Sequence, residues 1–194
     1  MRIPKISIVI PIYGMDSAQF FLKRNLDSIL SQTYKDYEIV ISDDNDDDQL
    51  KIFCKQYPVV YTKNKGAKGM AQNTNNAINH ATGELIKILF QDDYFFNEES
   101  LREIVNHFAR SNYWLVTACT YAIGFEYGVM NEHQPFYSES ENTIGSPSVL
   151  TFRSEVTTRF DPSFYWVLDL DLYKQLFREY GRPKILNKVN KLRS

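Results

Sequence analysis

Glu84-Leu85-Ile86-Lys87-Ile88-Leu89-Phe90-Gln91-Asp92-Asp93 is an apolar run closed by two adjacent carboxylates. A short run of this composition predicts a buried strand over 84–90 with the acids at its carboxyl tip. Upstream, Ile6-Ser7-Ile8-Val9-Ile10-Pro11 reads as a first strand, residues 37–42 as a second and residues 59–62 as a third. Between the first two, Leu22, Leu26, Ile29 and Leu30 recur at helical spacing behind a cap at Asp16 or Ser17. A short helix over 49–56 and a polar helix over about 71–81, ended by Thr82-Gly83, fill the other gaps. Strands alternating with helices predict an α/β fold whose central sheet is mainly parallel and covered by helices on both faces. Ligands bind such sheets at the carboxyl ends of the strands. Asp43-Asp44 and Asp92-Asp93 both fall there.

Further along, residues 98–110 predict a helix, and the apolar, aromatic residues 114–129 predict one bent strand or two. Residues 130–142 are polar without periodicity and read as a mobile loop. A helix near 170–180 and a basic tail over 184–194 follow. The length of 194 residues suits one domain and the 43% hydrophobic content an ordinary core. With a net charge of −2 and no block of Lys or Arg, the composition speaks against nucleic acid as the main partner. Cys54 and Cys119 lack CxxC spacing and read as reduced and buried, which suits a cytoplasmic protein. The residues before the first strand do not read as a basic-then-apolar signal peptide, and no apolar run has the length of a membrane span, which leaves a peripheral membrane contact open.

Adjacent carboxylates repel unless a cation or donors offset them. At Asp92-Asp93 a divalent ion shared with diphosphate oxygens would do so, and hard oxygen ligands suit Mn²⁺ or Mg²⁺. A solvated turn capping the next helix is the alternative. At Asp43-Asp44 a carboxylate has the acceptors to take the N3–H of a pyrimidine, while Asp46, Asp47 and Asp48 read as a solvated turn at a helix N-terminus. Trp166-Val167-Leu168-Asp169-Leu170-Asp171 sets two carboxylates beside aromatic bulk at a helix start. One of them serves either as a general base or as a plain N-cap. The three histidines, His80, His107 and His133, have no ligand spacing.

Taken in order, these fragments resemble the family 2 glycosyltransferases of the GT-A fold. They are Ile6-Ser7-Ile8-Val9-Ile10-Pro11-Ile12-Tyr13, Leu26-Asp27-Ser28-Ile29-Leu30-Ser31-Gln32-Thr33-Tyr34 and Tyr37-Glu38-Ile39-Val40-Ile41-Ser42-Asp43-Asp44. Asn75-Asn76-Ala77-Ile78, Ala81-Thr82-Gly83-Glu84, Gln91-Asp92-Asp93, Ile144-Gly145-Ser146-Pro147-Ser148 and Asp169-Leu170-Asp171-Leu172 complete the set. The resemblance covers nearly the whole chain. It implies a single GT-A domain over 1–194, with a nucleotide-binding part over about 1–95 and an acceptor part over about 96–194. It also implies an inverting, metal-dependent transfer from a nucleotide-diphosphate sugar, UDP-hexose first and dTDP-linked sugars next. The acceptor would be a hydroxyl of a glycan or lipid-linked glycan of a surface polysaccharide.

By the same resemblance, Pro11 and Tyr13 lie against the nucleoside, and Asp44 binds the pyrimidine edge with Asp43 in support. Asp92 faces the ribose or donor sugar, Asp93 is the principal ligand of Mn²⁺ or Mg²⁺, and Asp169 is the general base. Gly145, Ser146, Pro147 and Ser148 border donor sugar and acceptor. The chain departs from the family's pattern at four places. Phe90 stands where a further Asp is frequent, Thr74 where an Arg is, and Leu168 where an acid is, with Lys65 or Lys68 as substitutes for the missing cation. The family also continues past an Arg like Arg193 into a His-containing segment, so the resemblance implies either a chain truncated at Ser194 or a weaker closure over the diphosphate. These departures keep a non-catalytic nucleotide-sugar-binding domain in play. A sugar nucleotidyltransferase is a weaker alternative, because Tyr13-Gly14-Met15-Asp16 carries one glycine where a phosphate loop carries several.

Overall fold

A computed structural model describes residues 4–14, 18–108, 111–123, 129–133, 135–136, 138, 141–164 and 166–193. The first strand, β1 (Ile6–Ile12), is buried along its whole length. Its side chains alternate between two cores, as the strand period of two requires. Ile6, Ile8, Ile10 and Ile12 pack into one core and Val9 into the other. The first core takes Leu22, Leu26 and Ile29 of α1 (Ala18–Leu30), Leu50 and Cys54 of α2 (Gln49–Cys54), and Leu101 and Ile104 of α4 (Ser100–His107). The second takes Ala77 and Ile78 of α3 (Met70–Asn79) with Leu172, Tyr173 and Leu176 of α5 (Leu168–Tyr180). Helices therefore cover both faces of the sheet, as the alternation of elements predicts.

Among the described residues the sheet has nine strands. Beside β1 lie β2 (Tyr37–Asp43), β3 (Val60–Lys63), β4 (Leu85–Ile88), β5 (Asp93–Phe95), β6 (Trp114–Ile123), β7 (Val129–His133), β8 (Leu150–Arg153) and β9 (Lys184–Arg193). The order is β3-β2-β1-β4-β8-β6-β9-β5, with β7 paired to β6. The β3-β2-β1-β4 half is parallel throughout. Beyond β4 the sheet is mixed, because β8 runs antiparallel to β4 and β6 while β9 runs parallel to β6 and antiparallel to β5.

Two expectations change. Residues 130–133, expected within a mobile loop, continue from Val129 as β7, which pairs with residues 119–123 of β6. Cross-strand pairing supplies the order that polar composition hid. Positions 134, 137, 139 and 140 of the same expected loop lie outside the described residues. The basic tail is likewise a strand, β9, inserted between β6 and β5. Its Asn190 and Lys191 are fully buried, against every compositional expectation for such residues.

At the amino edge of the sheet, Glu38 gathers three partners. Lys5 Nζ donates to its carboxylate at 2.7 Å, Ser7 Oγ also donates, and Thr82 donates from both its backbone N–H and its hydroxyl. Gly83 lies so close to β1 that a Cβ there would stand 2.7 Å from the Ser7 nitrogen and 2.8 Å from the Lys5 carbonyl oxygen. The stretches around Glu38 and 81–84, both among the family-like fragments, thus clamp the end of the sheet remote from the acidic clusters.

Candidate active site

At the carboxyl edge, β1 delivers Pro11, which is buried, and then Tyr13, whose side is 69% exposed. Gln91 holds the Tyr13 backbone from both sides. The Tyr13 N–H donates to Gln91 Oε1 at 3.0 Å, and Gln91 Nε2 donates to the Tyr13 carbonyl at 3.2 Å. Gly14, with φ +77°, donates its N–H to Asn45 Oδ1 at 2.7 Å. The turn after β1 is therefore fastened to the turns after β2 and β4, leaving the Tyr13 ring presented to solvent.

Asp43 and Asp44, adjacent and both buried, have different surroundings. Asp43 Oδ1 accepts from the Asn45 N–H and Nδ2, each at 2.8 Å, while Oδ2 accepts from the Tyr61 hydroxyl at 2.6 Å and Lys63 Nζ at 3.0 Å. Burial, and next the Asp43 carboxylate, push the Tyr61 phenol well above its ordinary range. A carboxylate offers about four lone-pair sites, and those of Asp43 are filled. Among the described residues, Asp44 accepts from Asn64 Nδ2 at 2.7 Å and from the Gly69 N–H at 2.8 Å, through different oxygens. Of the pair, Asp44 retains room for a further donor. The donors of residues 64–69 wrap it at the start of α3, where negative charge is favoured.

The missing cation before Asn75 has a structural counterpart. Thr74 is fully buried with its hydroxyl on the Met70 carbonyl at 2.7 Å. Of the two expected substitutes, Lys68 donates to the Asp44 carbonyl at 2.5 Å and to Asp46 at 2.8 Å, whereas Lys65 is exposed and lines an open groove of about 400 Å³ with Tyr61, Asn76 and His80. His80 and His107 bond to carbonyls of their own helices. The side chain of His133 lies outside what is described.

Asp92 is partly exposed, and its carbonyl accepts from Arg24 Nη2 at 3.0 Å. Asp93 points inward and is 2% exposed. Its Oδ1 lies 2.9 Å from Nζ of Lys191, itself 0% exposed, and Lys191 also donates to Ser146 Oγ at 3.0 Å. Lys87, in β4, is a second fully buried ammonium, donating to the Ser148 carbonyl at 2.5 Å. Burial, and then the charge of Lys191, lower the pKa of Lys87 to about 7. The Phe90 N–H donates to Ser148 Oγ at 2.9 Å. The segment from Gly145 to Ser148, with Pro147 buried at the start of a 3₁₀ turn, is thus seated directly on the end of β4 and on β9.

Asp169 stands in the first turn of α5 and is partly exposed. Its Oδ2 accepts from Asn142 Nδ2 at 2.5 Å, and the same amide reaches the Gly145 carbonyl at 3.3 Å. Tyr173 of α5 donates to that carbonyl at 3.1 Å. Asp171 instead accepts from Gln175 one turn along. Before Asp169, Trp166 is 77% exposed, and Val167 holds φ +56°, a strained value for a β-branched residue.

All the candidate residues therefore share one edge. Gln91 and Asn45 join the turn after β1 to the acidic turns, Ser148 joins residues 145–148 to Phe90, Lys191 joins them to Asp93, and Asn142 joins them to Asp169. Gln91, Asn142, Lys87 and Lys191 were not assigned roles by sequence reasoning. For Gln91 a signal existed in the quoted Gln91-Asp92-Asp93 fragment. For Lys191 there was none, because a Lys in a basic tail reads as solvated.

The residues present do not fit a divalent ion bound to Asp93. That carboxylate is buried and held by an ammonium, and no three metal-ligating side chains gather anywhere among the described residues.

A curled mixed sheet with helices on both faces and acidic turns at its carboxyl edge is the architecture of a GT-A glycosyltransferase. The chain superposes on S. aureus TarS 1–349, solved in complex with UDP-GlcNAc, with a TM-score of 0.75 at 20% identity, covering 97% of this chain and 58% of TarS 1–349. The mannosyltransferase PcManGT of Pyrobaculum calidifontis, solved with GDP-Man and Mn²⁺, gives a TM-score of 0.67 at 15% identity, covering 96% of this chain and 55% of PcManGT. Within that class the chain belongs to glycosyl transferase family 2, whose model matches residues 7–177. It is 29% identical over 203 aligned residues to the chondroitin synthase of Escherichia coli, covering 97% of this chain and 28% of the synthase. To the GalNAc(5)-diNAcBac-PP-undecaprenol beta-1,3-glucosyltransferase of Campylobacter jejuni it is 33% identical over 96 residues, covering 46% of this chain and 30% of that enzyme. The chain spans less than a third of either curated relative.

Proposed function

We propose that this chain transfers a sugar, with inversion at the anomeric carbon, from a nucleotide-diphosphate sugar to a hydroxyl of a glycan or lipid-linked glycan. UDP-hexose is the donor best suited. The reading is supported above all by the Asn142 bridge, which sets the Asp169 carboxylate against the Gly145 end of a segment whose other end rests on the strand tip of Asp92 and Asp93. The nucleotide side falls within about 1–95 and the acceptor side within about 96–194.

In this reading the Tyr13 ring lies on the base with Pro11 beneath it. Asp44 accepts the N3–H of the pyrimidine through its remaining lone pairs, braced by the saturated Asp43. Asp92 faces the ribose or donor sugar, and residues 145–148 border donor and acceptor. Asp169 takes the proton of the acceptor hydroxyl as its oxygen attacks C1. The bond from C1 to the diphosphate oxygen breaks, its electron pair stays on the diphosphate, and the anomeric configuration inverts. The exposed Trp166 ring, three residues from Asp169, offers the acceptor sugar an apolar face. The divalent ion implied by the resemblance, and present with GDP-Man in PcManGT, has no fitted seat on Asp93, so no step is assigned to it. The reaction belongs on the cytoplasmic side, at a membrane surface where a lipid-linked acceptor is used. No helix among the described residues is long and apolar enough to cross a membrane.

The test is NMR analysis of the product from a UDP-hexose and a glycan acceptor. An inverted anomeric centre is expected. Asp169→Asn should lower kcat by about 10²–10⁴-fold, the usual worth of a general base, with UDP affinity unchanged, and Trp166→Ala should raise the acceptor KM alone. Retained configuration, or full activity in Asp169→Asn, overturns the mechanism. UDP-sugar binding without transfer to any acceptor would instead identify a non-catalytic binding domain.

A further inference from the structure

Lys87 is the third of the four residues of β4, and its side chain is fully buried. A lysine is rarely so placed without a partner of opposite charge, because lost hydration disfavours the ammonium. Lys87 has little to offset that loss. Its Nζ donates to the Ser148 carbonyl at 2.5 Å, and no carboxylate among the described residues accepts a hydrogen bond from it. Burial works against its charge most and Lys191 next, while Asp93 and Cys119 favour it less strongly. An apolar side chain would fill the same place in β4 without these terms, so the reason for a lysine lies in what its ammonium holds.

Thr151 stands opposite Lys87 in the β4–β8 pair, on the same face of the sheet. Its buried hydroxyl has no hydrogen-bond partner among the described residues. The ammonium therefore goes to the loop backbone rather than to its strand neighbour. Two further bonds fix the same segment, from the Phe90 N–H to Ser148 Oγ at 2.9 Å and from Lys191 Nζ to Ser146 Oγ at 3.0 Å. Pro147 and Ser148 are buried, whereas Gly145 and Ser146 are partly exposed. The segment thus has an inner end that Lys87 holds and an outer end at the edge shared with Asp169. Without the ammonium, the Ser148 carbonyl is a buried acceptor that has lost its donor, and it finds another only by moving the backbone that carries it.

We propose that Lys87 is a positioning residue for the donor sugar: through the Ser148 carbonyl it sets where the 145–148 backbone stands relative to the strand tip of Asp92 and Asp93, and so how well the sugar, rather than the nucleotide, is held. The inference rests on the transferase reading above, in which residues 145–148 border the donor sugar. The residues assigned to the nucleoside, Pro11, Tyr13 and Asp44, lie at the ends of β1 and β2 and have no hydrogen bond to Lys87. Loss of Lys87 accordingly separates the two parts of donor binding.

The experiment is calorimetric titration of UDP, UDP-glucose, UDP-galactose and their N-acetylated amino-sugar counterparts into the unmodified chain and into Lys87→Met. UDP affinity should change by less than about twofold, while affinity for the UDP-hexose that the unmodified chain binds best should fall about fivefold or more, the usual worth of one hydrogen bond. Thr151→Val alters the same face of the sheet without removing a bond to the loop, and should leave both affinities unchanged. Lys87→Gln, uncharged and one bond shorter, takes the place of Lys87→Met if circular dichroism shows that variant unfolded, with the same loss expected. Hydrogen exchange of the unmodified chain reads the contact without any variant. The Gly145, Ser146 and Ser148 amides should gain protection with the UDP-hexose beyond that given by UDP. Equal losses for UDP and UDP-hexose in a folded Lys87 variant, or no loss, overturn the proposal and leave the donor site standing. So do an equal loss of UDP-hexose affinity in Thr151→Val and the absence of sugar-dependent protection. Failure of UDP and of every UDP-hexose to bind the unmodified chain overturns the donor reading, and this proposal with it.

Discussion

Asp43 and Asp44 are the same residue type at neighbouring positions, and only their neighbours tell them apart. Four donors saturate one, while two leave acceptor capacity on the other. The sequence places both at a strand tip, but four of the six donors come from residues 61–69, whose approach depends on how β3 and α3 pack. Asp46 and Asp47 were readable, since an acidic turn before a helix is a local feature, and Asp47 does accept from the Gln49 N–H at 3.0 Å. Gly83 shows the opposite case, a fragment recognised by likeness whose role is steric. Ala at this position brings a Cβ within 2.8 Å of the β1 backbone. Gly83→Ala should therefore destabilise the chain by about 1–3 kcal/mol, the usual range for overpacking. Urea unfolding would check this, with wild-type stability in the variant as the contrary outcome.

Among elements, those legible in the sequence are strands that are apolar nearly throughout and helices that carry an apolar stripe. β1, β2 and β4 carry β-branched or leucine side chains, and α1 and α5 carry apolar stripes, so their positions follow from pattern alone. β9 does not announce itself, because its inward-facing positions include Asn190 and Lys191, whose burial is justified only by partners distant in sequence. The clamp at the amino ends of β1 and β2 makes a prediction at this scale. Burial pushes the Glu38 carboxyl up, but the hydrogen bonds from Lys5, Ser7 and Thr82 outweigh it and hold the group at about 2, below its ordinary 4.5. A depressed carboxyl binds fewer protons folded than unfolded between those values, so its stabilisation is complete above about pH 4.5 and disappears as pH falls through 2. Glu38→Gln should cost about 1.5–3 kcal/mol at neutral pH, as for hydrogen bonds to a charged group. The difference from wild type should close by about pH 2 in denaturant titrations run across the acid limb. A gap independent of pH would show that the clamp does not act through its charge.

At the scale of the molecule, the halves of the sheet behave differently. The parallel half is bound by central strands buried on both faces. The candidate site is bound by side-chain bonds between turns, through Asn45, Gln91, Asn142 and Ser148. Hydrogen exchange should accordingly be slowest in β1, β2 and β4, where opening requires global unfolding, and faster by orders of magnitude across residues 64–69. UDP should slow exchange of the Gly14, Asn45 and 64–69 amides by about tenfold or more, and protection confined to α4 or β7 would place the nucleotide elsewhere. The insertion of β9 between β6 and β5 has one more consequence, which concerns the order in which the chain is made. The other described strands of the sheet leave the ribosome first, so β5 emerges roughly a hundred residues before β9, its strand partner among the described residues. Until residue 191 is synthesised, Asp93 lacks the Lys191 ammonium. The nascent protein can assemble its parallel half before the edge that carries Asp93 has the strand it pairs with.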